Sequence, residues 1–287
     1  MKGYLMCAAL VLLFATAAFA AQDEESKLSV SAEAGGVGQA DFDEREGGFS
    51  VVETDLSVTY DILRLAYGVR SYDWHDKPAL PFGNGSDNPW DELHELELSA
   101  QDMGRINKQW SWFYHAAVSV AYEEEMDDSL GLFVAGGASY ALNEAWAVQL
   151  GLGVTGHKTG WSVLPMLGVL WNQGAEQGFS ARIGLPETEL AYRFGPEWAL
   201  RLVGEMEEDT WRLADDSTLL SKGYVQESGL SVGLFADWSP AQNLCLTFGP
   251  EVFFERKTTI FNSDGDKRNS YDSDVAAGAS LKIGYSF

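Results

Sequence analysis

The sequence predicts an all-β protein, an antiparallel up-and-down transmembrane β-barrel of about 14 strands. Hydrophobic residues alternate with small or polar ones over long segments, and short turns alternate with long, charged loops. No segment after residue 20 is long and apolar enough to be a helical span. Because a membrane offers no water to backbone N–H and C=O groups, only helices and closed barrels cross it. The closed barrel is therefore the class that fits.

The first 20 residues have the pattern of a cleaved secretory signal peptide. Lys2 provides a positive start, an apolar stretch follows, and residues 18–20 form a small-residue cleavage site. The apolar stretch is shorter than the roughly 20 residues of a transmembrane helix. Cys7 lies inside it rather than at the cleavage point, which argues against a lipoprotein. We expect a signal peptide at 1–20 and one outer-membrane barrel domain at 21–287.

Charge and cysteine content limit the partners of the exported chain. Loss of the leader removes one lysine and leaves 18 basic residues against 43 acidic ones, a net charge of −25. Nucleic acid needs a basic binding face, so it is excluded as a partner. Cys245 is the single cysteine after residue 20, so no intramolecular disulfide can form. The fold and its surroundings must stabilise the chain.

The strands follow from a period of two. Residues 110–122 and 146–155 place an apolar side chain at every second position, which is typical of a strand with one apolar face. Several such segments exceed ten residues, the length that a tilted membrane strand needs. Pro186 interrupts the short pair within 178–194, and because proline cannot donate to a ladder, 12 strands is the alternative. The predicted strands are 28–40, 48–60, 63–74, 93–102, 109–122, 129–141, 145–156, 161–172, 178–185, 187–194, 197–207, 223–238, 243–256 and 272–287.

The connections alternate in length. The long, charged loops lie near 41–47, 75–91, 123–128, 209–222 and 258–270. This asymmetry is typical of outer-membrane barrels, and it puts both termini on the side of the short turns. A soluble β-sandwich is the alternative, but the faces opposite the apolar ones are small or polar rather than rich in Lys and Glu. Aromatic residues also recur at the ends of the apolar faces, where interfacial girdles lie.

The last strand ends on an aromatic residue. Its apolar face includes Leu281, Ile283, Tyr285 and Phe287. This segment resembles the closing strand of bacterial outer-membrane barrels, whose terminal aromatic residue is read by the assembly machinery. The resemblance implies that Tyr285 and Phe287 are an assembly signal and that the barrel assembly machinery is a partner during biogenesis.

A second resemblance covers residues 161–202. The matching pieces are Leu164-Pro165, Trp171, Gly184-Leu185-Pro186 and Leu190-Ala191-Tyr192. This stretch resembles the core of a family of outer-membrane β-barrels labelled domain of unknown function 6268. The resemblance implies a barrel in the outer membrane of a Gram-negative bacterium, and it implies no activity and no site residues.

If the apolar faces point to lipid, the alternate residues line the lumen. Six acids and six bases then face inward: Glu53, Asp55, Glu95, Glu97, Glu189 and Glu205, with Arg64, Arg70, Arg182, Arg193, Arg201 and Lys282. Such charges either line a wet pore or cross-link a plugged barrel. Because 14 strands enclose room for water or a small ligand, we expect a passive channel or small-solute passage. The alternative is a non-conducting structural or surface-interaction barrel.

One strand lacks a polar inner face. Residues 161–172 are apolar on both faces, with Leu164 and Met166 among the inward-pointing side chains. We expect either the short hairpin at 178–194 to fold inward against this strand or a hydrophobic solute to pack there.

The acidic loops hold most of the net negative charge. They are either solvated surface or loose sites for Ca²⁺ or Mg²⁺, which prefer carboxylate oxygens. The candidate ligands are Glu123, Glu124, Glu125, Asp127 and Asp128. Bound cations would bridge these loops to lipopolysaccharide, a partner together with membrane lipid. We expect no other cofactor and a monomeric barrel.

Enzymatic activity is not predicted. An outer-membrane protease of the omptin type uses acid-x-acid and Asp-x-His pairs on the outer rim. Asp73-Trp74-His75 fits the second spacing, and Asp41-Phe42-Asp43 fits the first. With 43 acidic residues such spacings arise by chance, and acid–base geometry cannot be inferred from spacing. An omptin-like protease is therefore only a remote alternative.

Overall fold

The computed structural model describes residues 27–43, 47–173 and 175–287. The predicted signal peptide and its cleavage site lie outside these residues. Apart from one 3₁₀ turn, Lys77–Ala79, the elements are β-strands. Within the described ranges, no helix has the length and apolarity that crossing a membrane requires.

Fifteen strands make up the described fold. They are β1 Leu28–Asp41, β2 Gly48–Tyr60, β3 Leu63–His75, β4 Glu92–Arg105, β5 Trp110–Tyr122, β6 Leu130–Ala141, β7 Trp146–His157, β8 Gly160–Trp171, β9 Gly178–Leu185, β10 Glu187–Arg193, β11 Trp198–Arg212, β12 Tyr224–Ala241, β13 Leu244–Phe261, β14 Lys267–Ser273 and β15 Ala276–Ser286.

The sheet closes on itself with antiparallel neighbours. Each strand from β1 to β13 pairs with the next along the chain, and β15 pairs with both β13 and β1. The short β14 pairs with the outer end of β13, Arg256–Phe261, and continues the line of β15. The two therefore form one wall strand with a break, and the barrel has 14 strands, as the sequence predicts.

The segment at 258–270 differs from the prediction of a long loop. Ladder pairs extend β13 and β14 to Phe261 and Lys267, so the chain forms a hairpin with a tip at 262–266. Gly265 at this tip has a φ of 86°, which suits glycine, and it lies against the backbone of Lys158 in the β7–β8 turn. The hairpin therefore reaches across the mouth of the barrel.

An apolar belt covers the outside of the wall. Leu150, Leu152 and Val163 are each at least 60% exposed. At the end with the short turns, aromatic side chains pair across neighbouring strands, as in Trp198 and Trp238, whose ring centroids are 5.6 Å apart. Such a belt with an aromatic girdle is the lipid-facing surface of an outer-membrane barrel.

The wall is low at one place. β9 and β10 have 8 and 7 residues, whereas their neighbours β8 and β11 have 12 and 15. Both short strands are paired in the wall through β8 and β11, so the expectation that this hairpin folds into the lumen is wrong. Pro186 lies in the turn between these two strands, so the wall ends there on this side.

The apolar core lies at the outer mouth. We call it the outer core, and its largest members are Phe42, Phe49, Tyr72, Trp74, Phe82, Trp90, Leu93, Trp211, Leu213, Val225 and Ile260. These side chains come from β2–β4, from β11–β13 and from the loops that follow β1, β3 and β11. Two stretches of wall that are not neighbours in the sheet are therefore packed together.

Candidate functional site

Arg70 joins opposite sides of the barrel within its outer half. Its guanidinium donates to Asp209 at 2.8 Å and pairs with Glu53 at 3.1 Å. It also lies over the ring of Trp211, 4.7 Å from the centroid, a cation–π contact. Since Arg70 is on β3 and Asp209 on β11, this contact closes the lumen between two walls that share no ladder.

Aromatic packing closes the mouth above that contact. Trp90 is 1% exposed, and its ring meets Trp74 edge-on at 4.9 Å and stacks with Phe82 at 5.9 Å. The indole N–H of Trp74 donates to the Trp90 carbonyl oxygen at 2.7 Å. The loop between β3 and β4 thus folds into the mouth and fills it.

The end of β11 also bonds to the end of β5. The backbone N–H of Glu123 donates to the Arg212 carbonyl oxygen at 2.8 Å. The Arg212 side chain is 1% exposed and is surrounded by carboxylates: Glu125 at 3.1 Å, Asp127 at 3.6 Å, and Asp215. Hydrogen bonds from Arg212 and Lys222 hold the pKa of Asp215 below its ordinary value.

Four of the five predicted divalent-cation ligands bond to other groups of the protein. Glu125 and Asp127 pair with Arg212, Glu123 accepts the N–H of Ala214 at 2.8 Å, and Asp128 pairs with Lys158 at 2.9 Å. The bond to Lys158 lowers the pKa of Asp128. Within the described ranges, no group of three or more His, Cys, Asp or Glu is arranged to hold a metal ion. Cation binding by these loops stays a prediction.

A cleft remains on the other side of the outer half, and we call it the lateral cleft. Its volume is about 1210 Å³. Its walls are the inner faces of β4–β8 and the outer parts of β11–β13, with linings that include Glu95, Ala121, Phe133, Thr155, Trp161, Leu164, Glu207, Glu208 and Thr210. The tip of the β13–β14 hairpin, at Gly265, meets the β7–β8 turn above it. Small inner-face residues on β5–β7 leave this space unfilled.

The predicted lumen charges fall into pairs and single groups. Three ion pairs form within the set: Arg64–Glu97 at 3.2 Å, Arg70–Glu53 at 3.1 Å and Arg201–Glu189 at 3.2 Å. Other cations of the set pair with acids that the sequence did not single out: Arg182 with Glu187 at 3.1 Å, Arg201 with Asp237 at 2.6 Å, and Lys282 with Glu33 at 3.0 Å. Among the described residues Asp55, Glu95, Arg193 and Glu205 have no ion-pair partner.

A smaller cavity of about 460 Å³ lies at the end of the barrel with the short turns. Its lining includes Arg193, Arg201, Asp237, Cys245 and Lys282. Cys245 is a free, exposed thiol on this surface. The barrel interior therefore has polar space at this end as well as in the lateral cleft.

The rim histidine bonds to a different acid from the one its spacing indicated. His75 Nε2 is 2.7 Å from Asp41 Oδ1, and Gln39 Nε2 is also 2.7 Å from the same ring nitrogen. Asp73, the acid of the Asp-x-His spacing, is exposed and makes no ion pair among the described residues. The structure thus holds one His–Asp pair at the rim.

Comparisons with known proteins find matches among solved structures and none among family models or curated sequences. No protein-family model matches the chain, and no curated protein sequence matches it, so the resemblance to domain of unknown function 6268 stays an expectation. Among solved structures, the KdgM porin is 8% identical, with 90% of this chain and 99% of that chain covered and a TM-score of 0.36. The Pseudomonas putida toluene transporter TodX is 8% identical, with 91% and 89% covered and a TM-score of 0.39. The translocator domain of the autotransporter NalP from Neisseria meningitidis is 12% identical, with 100% and 98% covered and a TM-score of 0.39.

Proposed function

We propose that this barrel is a passive passage for small solutes across the outer membrane. The observation that carries the proposal is the lateral cleft, a space of about 1210 Å³ inside the wall with both polar and apolar linings. A volume of this size is somewhat above the range of about 300–1,000 Å³ that is typical of small-molecule sites. A barrel whose interior is only a structural network has no need of such a space.

The polar interior supports the same conclusion. The ion pairs along the inner face, such as Arg201 with Asp237, satisfy the charges where solute and water would pass. Several acids that line the cleft, including Glu95 and Glu207, have no cationic partner among the described residues. These groups are best stabilised by water or by a solute.

The outer core favours a second candidate, a non-conducting structural or surface-interaction barrel. Trp74, Trp90 and Trp211 are each no more than 5% exposed, so a straight path along the barrel axis is filled with side chains on that side. If the lateral cleft has no route to the outside, this packing prevents the barrel from conducting ions or solutes.

Recordings of the purified full-length mature protein in planar bilayers test the choice. Stepwise conductance that follows insertion supports the passage. Silence in repeated insertions, together with heat-modifiable migration that proves a folded barrel, overturns the passage and favours the non-conducting barrel.

A hydrolase assay on the same sample addresses the remote protease alternative. We expect no cleavage of a mixed peptide library. Cleavage by the wild-type protein that His75→Ala abolishes would replace the proposed function by an enzymatic one.

A further inference from the structure

The low stretch of wall leaves the outer half of the β8 edge without a partner strand, and it leaves the β11 edge unpaired between the Met206–Pro186 bond and the Arg212 bridge to β5. β8 pairs with β9 only through Leu167–Trp171, and β11 pairs with β10 only through 199–205. Beyond these ladders, the described structure gives Gly160–Met166 of β8 no partner strand on the facing edge. At about 3.3 Å per residue this edge is roughly 20 Å long. A gap therefore opens in the side of the barrel, above Pro186.

The lateral cleft lies directly behind this gap. Its lining contains Trp161 and Val163 on the edge of β8, Met206 and Glu208 on β11, and Pro186 below. Trp161 is 72% exposed and Val163 is 64% exposed, so neither side chain blocks the gap. The cleft is thus continuous with the lipid-facing side of the wall.

The gap lies in the outer part of the wall, and its edges must be wet. An open strand edge presents unpaired N–H and C=O groups, and such groups do not face hydrocarbon without a partner. Water that reaches them through the cleft satisfies them. A solute in the gap therefore meets water and protein on one side and the outer leaflet on the other.

Charge and apolarity at the gap select the solute. Of the acids that line the inside of the cleft, Glu97 and Asp209 pair with arginines, whereas Glu95 and Glu207 have no ion-pair partner among the described residues. The one lysine in this lining is Lys257, and it pairs with Asp272 at 3.3 Å. The gap itself is lined mainly by aromatic and aliphatic side chains, and Glu208 of β11 lies beside them. Acids inside and apolar groups outside fit a cation that carries an apolar group.

We propose that solutes leave the barrel sideways, through the gap above the β9–β10 hairpin, and that the favoured solute is an organic cation with an apolar group. This inference rests on the proposed passage function and adds its route and its solute class. The outer core fills one side of the mouth, and the β13–β14 hairpin crosses the other at Gly265 and Lys158, so the side gap is the path that the fold leaves open.

Chemical closure of the gap tests the route in the folded barrel. A Val163→Cys variant is made in a Cys245→Ser background and labelled with a bulky maleimide, and Val134→Cys, 59% exposed on β6, is the matched control. The probe is benzyltrimethylammonium chloride, whose permeation is measured as current in planar bilayers. We expect labelling at 163 to lower the current at least about tenfold and labelling at 134 to leave it unchanged. Equal currents for the two labelled proteins overturn the lateral route.

Reversal potentials test the solute class. In a gradient of benzyltrimethylammonium benzenesulfonate, the wild type should prefer the cation. The double variant Glu207→Gln with Glu208→Gln should lower that preference about tenfold, which corresponds to roughly 1.4 kcal/mol. The control Glu144→Gln, in a turn at the opposite end of the barrel, should not change it. No cation preference in the wild type overturns the solute class.

The two proposals fail in different ways. An unlabelled wild type that passes neither ion defeats the passage function itself. A wild type that conducts, but is insensitive to labelling at 163, keeps the passage and loses the lateral route.

Discussion

On one side of the outer mouth, β2 and β3 point Phe49, Tyr72 and Trp74 inward, and the opposite wall bends in to meet them. On the other side, the inward-pointing residues in the outer parts of β5–β7 are small, as in Ala117, Ala121 and Thr155. A cleft of about 1210 Å³ remains there. Both sides have the same alternation and the same ladder. Because interiors pack to high density wherever side chains can reach each other, the size of the inner-face residues decides which side closes.

Removal of the central indole should open the closed side. Trp90→Ala deletes a buried ring with three aromatic neighbours, and such deletions cost about 3–5 kcal/mol. We expect that loss in urea unfolding of the detergent-folded barrel, together with a larger single-channel conductance as the mouth loosens. Trp146→Ala, in the girdle and 43% exposed, is the control and should lose much less. Equal losses would mean that the outer core contributes no special stability.

The two sides also differ in what their arginines do. Arg70 pairs with Glu53 at 3.1 Å and reaches across the lumen, whereas Arg182 pairs with Glu187 at the same distance within the low wall. Arg70→Met leaves several carboxylates facing each other in a half-buried place, and we expect a loss of about 3 kcal/mol. Arg182→Met should cost less than about 1 kcal/mol because the pair is well exposed. Urea unfolding curves of the two variants measure the difference. Similar losses of stability would mean that Arg70 does not hold the two walls together.

Much of this architecture follows from the sequence, but the collapse of one side does not. The period of two predicts strands such as 146–155 because lipid and lumen impose opposite chemistry on alternate residues. The inward face of Arg70 follows from the same rule. Its partner Asp209 is 139 positions away, on a strand that is not a ladder neighbour, so no local pattern joins them.

The sequence does contain one signal for the closed side. Phe49, Tyr72 and Trp74 occupy inner-face positions by simple alternation from Glu53 and Arg70. Three large aromatic side chains on the inward faces of neighbouring strands indicate packing rather than a water-lined pore. The side gap is harder to predict from the sequence, because it depends on the lengths of β8 and β11 relative to the hairpin between them.

The contacts of Arg212 at the end of β11, which we call the latch, should contribute less to the free energy of unfolding than the outer core does. Arg212→Met removes the donor to Glu125, Asp127 and Asp215, and we expect a loss of about 2 kcal/mol from hydrogen bonds to charged groups. Lys222→Met is the control, since Lys222 is 53% exposed and its one ion pair among the described residues is with Asp215 at 2.9 Å. Urea unfolding separates the two variants, and a larger effect at Lys222 would show that the buried arginine is not the latch.

Acid should loosen the same junction. The folded-state pKa of Asp215 is lowered by its bonds to Arg212 and Lys222, and that of Asp128 by Lys158. A lowered pKa contributes stability that is complete above the ordinary value, near 4, and is lost as the pH falls through the lower folded value. Tryptophan fluorescence of the outer core should therefore change between pH 5 and pH 2. Arg212→Met should lose much of that change, and an identical acid response in this variant would contradict the assignment.

The smallest effect is expected at the rim, where the packed side meets water. His75 and Asp41 form a pair at 2.7 Å with side chains 26% and 36% exposed, and such pairs contribute less than about 1 kcal/mol. His75→Ala should therefore unfold at nearly the wild-type urea concentration and conduct as the wild type does. Asp41→Asn, which keeps the size and removes the charge, should match it. A loss above about 2 kcal/mol in both variants would mean that the closed side is held from its edge, because partly exposed ion pairs do not reach that value on their own.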